Sequence, residues 1–183
     1  RELKRKIGYL PELPRLPESA TTQETLSLHA SLLGLQHHDA NREIDEIVNS
    51  LDLESIRKRK VSDFSKGMQQ RVGLGIALLG KPELLILDEP MSGLDPYGRQ
   101  MVRNLISDCR ADGRTVFFSS HVLPDVATLC DRITILHQGS VIVSGKQYDI
   151  FPPKETNTHI KFTRPNSDLT PKFPEAIKGD IQL

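Results

Sequence analysis

The spacing of apolar residues in the first half of the chain predicts three helices. Residues 21–24 read Thr-Thr-Gln-Glu and form a capping box, because the glutamate follows the capping threonine by three positions. The helix that they open is expected to end at Gly34. Asp39 is expected to cap a second helix, and a third is predicted from about residue 66 to 79, stopping at Gly80. In the second helix, apolar positions recur at the spacing of one face: Ile44, Ile47, Val48 and Leu51.

The period then changes, and short apolar runs predict β-strands. Leu84–Leu87 is a continuous apolar run, which is typical of a strand buried on both faces. Residues 96–112 form a predicted amphipathic helix that ends at Gly113, with Val102, Leu105, Ile106 and Cys109 facing inward. The remaining predicted elements are strands at 7–10 and 115–120, a short helix at 125–129, and a hairpin of strands 133–136 and 141–144. Strands that alternate with helices predict an α/β fold with a mostly parallel sheet flanked by helices.

The order of these elements predicts how the chain is divided. The helices between Thr22 and Leu53 precede the alternation, so we expect a helical lobe at about residues 16–80 and an α/β part at about 81–150. After Phe151 the chain becomes Pro-rich and polar. Residues 151–183 are therefore expected to be a C-terminal extension, in which residues 159–162 are a candidate start of a small appended domain.

Composition narrows the function classes. The chain has 183 residues, 37% hydrophobic and 26% charged, which is the balance of a soluble globular protein. Lys plus Arg and Asp plus Glu both number 24, so the zero net charge gives no support to nucleic-acid or polybasic membrane binding, and we expect no nucleic-acid partner. The only cysteines, Cys109 and Cys130, predict no disulfide framework and are expected on apolar faces. No apolar run approaches the ~20 residues of a membrane span.

Two acidic residues follow the most apolar predicted strand. Asp88 and Glu89 come directly after Leu87, so we expect them at the carboxyl edge of a parallel sheet, where open α/β sheets bind ligands. Successive strand residues point to opposite faces, so one carboxylate is expected to serve Mg²⁺ and the other to orient or deprotonate an attacking water. The alternative is a strand that merely ends in solvated charge.

The start of the third predicted helix is a candidate anion site. Ser65 is a good N-terminal cap, Gly67 lets a bulky anion approach the backbone, and the first turn carries free amides. Lys66 adds a positive charge. Taken alone, an ordinary capped helix explains the same residues.

Taken together, these stretches resemble a known family. Residues 64–71, Phe-Ser-Lys-Gly-Met-Gln-Gln-Arg, resemble the signature of ATP-binding-cassette (ABC) ATPases, usually written Leu-Ser-Gly-Gly-Gln. Residues 84–89 resemble the Walker B strand with its catalytic glutamate, residues 92–95 resemble the D-loop, and His121 resembles the switch histidine. Order and spacing fit over roughly residues 1–150, which would form a partial ABC ATPase domain.

The resemblance implies a P-loop NTPase-like fold with a helical signature lobe, and a nucleotide site shared by two domains. In the family, two such domains face head to tail with ATP between them. Ser65 and Gly67, together with Lys66 and Met68, would then bind the ATP held by the second ABC ATPase domain. Asp95 would cross the dimer interface.

The same resemblance implies catalytic roles. Asp88 would serve Mg²⁺, Glu89 would polarise the attacking water, and His121 would hold the γ-phosphate and the water. Glu12 stands where the family usually has Gln after Ile-Gly-Tyr-Leu-Pro. Its carboxylate is a further candidate ligand for Mg²⁺ and the nucleotide, although its charge and donor capacity differ from those of Gln.

The sequence contains no Gly-rich P-loop of the pattern G-x-x-x-x-G-K-[ST]. Residues 75–81 come near it, but Pro82 stands where Ser or Thr is required, and the segment is predicted to be the end of a helix. In the family the true loop precedes the Ile-Gly-Tyr strand. Because the chain begins with Arg and not Met, just before that strand, we expect an incomplete domain cut from a longer protein. Without the loop, we expect the chain to be inactive alone.

Two other patterns have simpler explanations. Pro11, Pro14 and Pro17 have the P-x-x-P spacing of an SH3 ligand, but a stiff loop around Glu12 is the better interpretation. Residues 37–39, His-His-Asp, resemble a metal-binding cluster, but a solvated turn before a helix is expected.

The expected function is ATP hydrolysis coupled to transport. The chain looks most similar to ATPase subunits of multidrug or ABC-2-type exporters, which implies a membrane permease as partner and a peripheral position on the cytoplasmic face of the cell membrane. A soluble ABC protein of translation or DNA repair is the alternative, and an inactive fragment is a third interpretation.

Overall fold

A computed structural model describes residues 5–152 and divides the chain into two units, the second beginning at Arg132. In chain order the elements of the first unit are β1 (Ile7–Leu10), α1 (Thr22–Leu33), α2 (His37–Ser50), α3 (Lys66–Leu78), β2 (Leu84–Leu87), α4 (Pro96–Ala111), β3 (Thr115–Phe118) and α5 (Leu123–Leu129). Short 3₁₀ turns at Glu54–Ile56 and Val61–Asp63 precede α3. None of the helices among residues 5–152 has the length and apolar character needed to cross a bilayer.

The second unit is an antiparallel hairpin with a one-turn helix. Its elements are β4 (Arg132–His137), β5 (Ser140–Lys146) and α6 (Gln147–Ile150). The predicted turn is confirmed, because Gln138 and Gly139 both have positive φ, at 49° and 78°, as a tight two-residue hairpin turn requires. The candidate appended domain at residues 159–162 lies outside the described residues.

Helix α1 begins where the capping box predicts. The Glu24 amide donates to Thr21 Oγ1 at 3.2 Å, and the Thr21 amide donates to Glu24 Oε2 at 2.8 Å. Hydrogen bonds from the Thr21 backbone and then from its hydroxyl hold the pKa of Glu24 below its usual value. Gly34 ends the helix in the left-handed conformation, with φ 73°.

The prediction that Asp39 caps α2 is wrong. The helix already begins at His37, and Gln36 stands at the cap position without a side-chain hydrogen bond. Residues 37–39 are therefore the first turn of the helix and not a turn before it. Asp39 still favours the helix there, because its negative charge lies near the positive end of the helix dipole.

Strand β2 lies between β1 and β3 in a three-stranded parallel sheet. Its predicted burial on both faces is wrong for the described chain: Leu85 and Leu87 are buried, whereas Ile86 is only half-buried. The residues that pair with Ile86 on the neighbouring strands are also exposed: Tyr9 on β1 is 57% exposed and Phe117 on β3 is 67% exposed. The reason is that the described helices cover one face of the sheet.

The core lies between the helices and the covered sheet face. Helix α3 packs closely on β1, and only glycine fits there, because a Cβ at Gly8 would lie 1.9 Å from the Ala77 carbonyl oxygen. Burial raises the pKa of Cys109 and Cys130, so both thiols stay protonated at neutral pH, as expected for packing residues. The largest fully buried apolar side chains are Leu10, Leu26, Ile44, Val48, Leu51, Leu53, Val72, Leu74, Leu85, Leu87 and Val102.

The near-match to a P-loop at residues 75–81 is the end of α3 and the turn after it, as predicted. The chain turns at Gly80 and Lys81, whose φ angles are 77° and 46°. Glu43 of α2 accepts hydrogen bonds from both amides, at 2.6 Å and 3.1 Å. These amides are therefore already satisfied by a carboxylate, and the segment does not form a phosphate-binding loop between a strand and a helix.

Helix α5 is attached to α4 through a buried carboxylate. Asp125 is 1% exposed, and its Oδ1 accepts from Arg103 Nε at 2.9 Å and Nη2 at 2.5 Å.

We expect Arg103→Met to lower the free energy of unfolding by about 3 kcal/mol, because it leaves the buried Asp125 carboxylate without its positively charged partner. Arg110→Met is the matched control: its pair with Asp131 is exposed on both sides and should cost less than about 1 kcal/mol. Urea unfolding measures both, and equal costs would contradict the prediction.

Candidate functional site

The carboxyl ends of the three strands meet at one edge of the sheet, and Asp88 lies at the centre of that edge. The Asp88 amide donates to the Leu10 carbonyl of β1 at 2.8 Å. Ser119, the first residue after β3, donates its hydroxyl to Asp88 Oδ1 at 2.6 Å. The prediction that the acids lie at the carboxyl edge is therefore confirmed for Asp88, which is bonded to both neighbouring strands.

Glu89 leaves the strand conformation. Its φ is +47°, in the left-handed region that non-glycine residues seldom adopt. Its amide donates to Ser119 Oγ at 2.9 Å, and its carbonyl accepts from Gln70 Nε2 at 3.1 Å and from the Ser92 amide at 2.9 Å. The argument that Asp88 and Glu89 point to opposite faces fails, because strand alternation ends at Leu87.

His121 contacts the Glu89 carboxylate. Its Nδ1 atom lies 2.9 Å from Glu89 Oε1, and because a carboxylate only accepts hydrogen bonds, Nδ1 carries the proton in this contact. Glu89 is 22% exposed and His121 78% exposed, so the pair lies at the surface of the described chain. Asp88, Glu89 and His121, which the sequence predicted to act together, are thus brought together through the end of β3.

The start of α3, residues 65–68, forms a second cluster, which we call the signature turn. Ser65 caps the helix, with its hydroxyl accepting from the Met68 amide at 3.3 Å. Lys66 Nζ donates to Ser92 Oγ at 2.9 Å. Gly67 lies so close to the neighbouring loop that a Cβ would come within 2.9 Å of the Gly93 carbonyl oxygen. The signature turn therefore packs on residues 92–93 of its own chain.

Three other predicted site residues take no part in the hydrogen bonds that join Asp88, Glu89 and His121. The half-buried Met68 side chain packs against the hydrophobic core. Asp95 is exposed and caps α4, with Oδ1 accepting from the Gly98 amide at 2.8 Å. Glu12 is exposed in the loop after β1 and makes none of the hydrogen bonds that join Asp88, Glu89 and His121.

Sequence reasoning missed three residues that build the site: Ser119, Ser92 and Gln70. The signal for Ser119 was its position after a strand next to β2, since the ends of adjacent parallel strands meet. The signal for Gln70 was a polar residue on the apolar face of α3, at helical spacing from the buried Leu74 and Ala77. Ser92 had no signal beyond its place in the D-loop-like stretch.

The carboxylate ligand at the sheet edge fits Mg²⁺ bound together with a nucleotide. Magnesium is usually held by one or two carboxylates together with substrate phosphates and waters, so a single Asp88 suffices on the protein side. Within residues 5–152 no group of three or more His, Cys, Asp or Glu side chains could hold a metal by itself. A purely protein-ligated metal centre at residues 37–39 therefore has no support in this part of the chain.

The chain is similar in sequence and in fold to known proteins. A sequence model of the ABC transporter family matches residues 1–92. An uncharacterized ABC transporter ATP-binding protein of Nostoc sp. is 42% identical over 158 residues, 85% of this chain and 47% of that protein. The linearmycin resistance ATP-binding protein LnrL of Bacillus subtilis is 36% identical over 176 residues, 96% of this chain and 56% of that protein. A solved ATP binding subunit of an ABC transporter has a TM-score of 0.74 and 35% identity, over 80% of this chain and 61% of that one.

These similarities cover most of the described residues. The chain spans about half the length of the curated relatives it matches. The predicted fold class is confirmed: a parallel α/β sheet with helices and a signature lobe, incomplete relative to the solved neighbour and consistent with a P-loop NTPase fold. Because the family model matches half of the chain and the similar proteins named above are ATP-binding proteins of that family, the chain belongs to the ABC transporter family of ATP-binding proteins.

Proposed function

We propose that the full-length protein containing this chain hydrolyses ATP and uses the reaction to drive transport through a membrane permease. One observation carries the proposal: the 2.9 Å contact between His121 and Glu89, at the sheet edge that also holds Asp88. A carboxylate for the metal, a carboxylate for the water and a histidine that holds the second carboxylate can together serve phosphoryl transfer to water.

Each of these side chains has one role in the proposed reaction. Glu89 accepts a proton from, or orients, the attacking water, and His121 holds the Glu89 carboxylate through Nδ1–H. Asp88 is the ligand for Mg²⁺, with its carboxylate fixed by the Ser119 hydroxyl. When bound with ATP, Mg²⁺ neutralises charge that develops on the phosphate oxygens. Glu12, in the loop after β1, stays a candidate second ligand.

The signature turn serves the nucleotide of a second ABC ATPase domain, of the same or another chain. Ser65 and Gly67 approach the γ-phosphate with the free amides of the first turn of α3, where anions are favoured. Two other residues already make a contact within their own chain. Lys66 donates to Ser92 Oγ, and Asp95 would contact the second domain from a position at which it also caps α4.

The direction of transport is proposed to be export. The linearmycin resistance relative carries a name that fits removal of a toxic compound, and 96% of this chain aligns with it. We propose that the part of the helical lobe at about residues 16–62 contacts the permease and transmits closure to it, and that the α/β part at about 81–150 hydrolyses ATP. The protein would then act on the cytoplasmic face of the cell membrane.

The proposal predicts that the full-length protein hydrolyses Mg-ATP, whereas the 183-residue chain neither hydrolyses it nor binds it with micromolar affinity. The reason is that P-loop amides and a lysine supply most phosphate contacts, and no P-loop pattern occurs in these residues. Phosphate release and calorimetric titration measure the two proteins, with circular dichroism as the control for folding. A full-length protein without ATPase activity, or micromolar binding by the chain, would contradict the proposal.

A further inference from the structure

A buried glutamine connects the helix that carries the signature turn to Glu89. Gln70 lies in α3, five positions after Ser65, and its side chain is fully buried. Its Nε2 donates to the Glu89 carbonyl oxygen at 3.1 Å. Its neighbour Gln69 is half-buried, and its side chain donates to the Phe64 carbonyl at 3.4 Å, at the start of the same helix.

The backbone of Glu89 needs such support. A non-glycine residue in the left-handed region costs of the order of 1 kcal/mol or more and persists only where neighbours hold it. Ser119 holds the amide of Glu89, while Gln70 and the Ser92 amide hold its carbonyl. Without Gln70 the carbonyl would lose one of these two hydrogen bonds, so the peptide would relax more easily toward an extended conformation, which would move the Glu89 side chain away from His121.

The polar head of Gln70 has no other described role. Burying an amide costs free energy that an apolar side chain of similar length would not, and Gln70 Oε1 has no protein partner among the described residues. Packing alone would therefore favour a residue such as methionine at this position. The donor group of Gln70 is explained by the Glu89 carbonyl that it meets.

We propose that Gln70 is a positioning residue for ATP hydrolysis, which acts by fixing the Glu89 backbone so that the Glu89 carboxylate stays in contact with His121. The inference rests on the proposed function, since it assigns Gln70 a part in the same reaction. Gln70 itself touches neither the nucleotide nor the water in this role.

Two variants of the full-length protein test the inference. Gln70→Met keeps the length of the side chain and removes the donor, and Gln70→Leu removes the donor with a shorter apolar side chain, so one remains informative if the other folds poorly. We expect either to lower kcat about 10-fold to 100-fold, the loss typical of a misplaced catalytic group, with the KM for ATP changed less than about twofold. Gln69→Met is the matched control and should keep kcat within about twofold of the unsubstituted protein.

A double-variant cycle separates positioning from general destabilisation. If Gln70 acts through the Glu89 carboxylate, adding Gln70→Met to Glu89→Gln should change the residual single-turnover rate less than about twofold. A folded Gln70→Met or Gln70→Leu protein with normal kcat would overturn the inference, as would a full additional loss in the double variant. An inactive unsubstituted protein would overturn the proposed function and the inference with it, whereas an active one that Glu89→Gln inactivates isolates the role of Gln70.

Discussion

Replacing Glu89 with glutamine in the full-length protein is expected to lower ATP hydrolysis at least about 100-fold while leaving ATP binding intact. A base or water-orienting residue contributes typically about 10²–10⁴-fold to a rate, and an amide accepts a proton poorly. Glutamine keeps the shape of the side chain and an oxygen that can accept from His121 Nδ1, so the local structure should survive. The hydrogen bonds of the Glu89 backbone to Ser119 and Gln70 do not involve the carboxylate.

The same variant should accumulate an ATP-bound dimer, because a closed state that cannot hydrolyse ATP has no easy exit. Size-exclusion chromatography with and without ATP, together with a phosphate-release assay, measures both effects. Glu83→Gln is the matched control: this carboxylate precedes β2 at the opposite end of the strand and pairs with Lys6 at the surface. Hydrolysis by Glu89→Gln above about a tenth of the normal rate would mean that Glu89 is not the catalytic carboxylate.

Ser65→Arg is expected to abolish ATPase activity in the full-length protein and to leave the fold intact. Ser65 is exposed at the start of α3, so a long cation there meets solvent in the monomer but occupies the proposed seat of the γ-phosphate in the dimer. The lost cap, which now bonds the Met68 amide, should cost only about 1 kcal/mol of stability. The expected loss of activity is therefore much larger than any loss of folded protein.

Ser62→Arg provides the control for this substitution, because Ser62 is also exposed but lies outside the signature turn. ATP turnover, thermal unfolding and ATP-dependent dimerisation should be measured on both proteins. Ser62→Arg should turn over at the normal rate. Near-normal turnover by Ser65→Arg would count against the assignment of the signature turn.

The candidate site was predicted from the sequence in part. Asp88, Glu89 and His121 were expected together, and the hydrogen bonds at the ends of β2 and β3 bring them together. The parallel order of the strands explains this success, since residues that follow adjacent parallel strands share one edge of the sheet. The expected position of Met68 at the nucleotide is weakened, because its side chain packs against the core. Glu12 lies in the loop after β1, outside the hydrogen bonds that join the other three.

The sequence by itself determined the features that depend on neighbours along the chain. The capping box of Thr21 and Glu24 depends on hydrogen bonds between residues three positions apart, and the hairpin turn at Gln138 and Gly139 depends on the φ angles of adjacent residues. Both features can therefore be predicted from a short stretch of sequence. Only the tertiary structure decided the left-handed backbone of Glu89 and the burial of Gln70 against it. Those features depend on groups 19 and 30 positions away in the chain, whose approach is set by how α3 packs on β1 and how β3 pairs with β2. No local pattern records that packing, because its free energy comes from side chains distributed over the whole first unit.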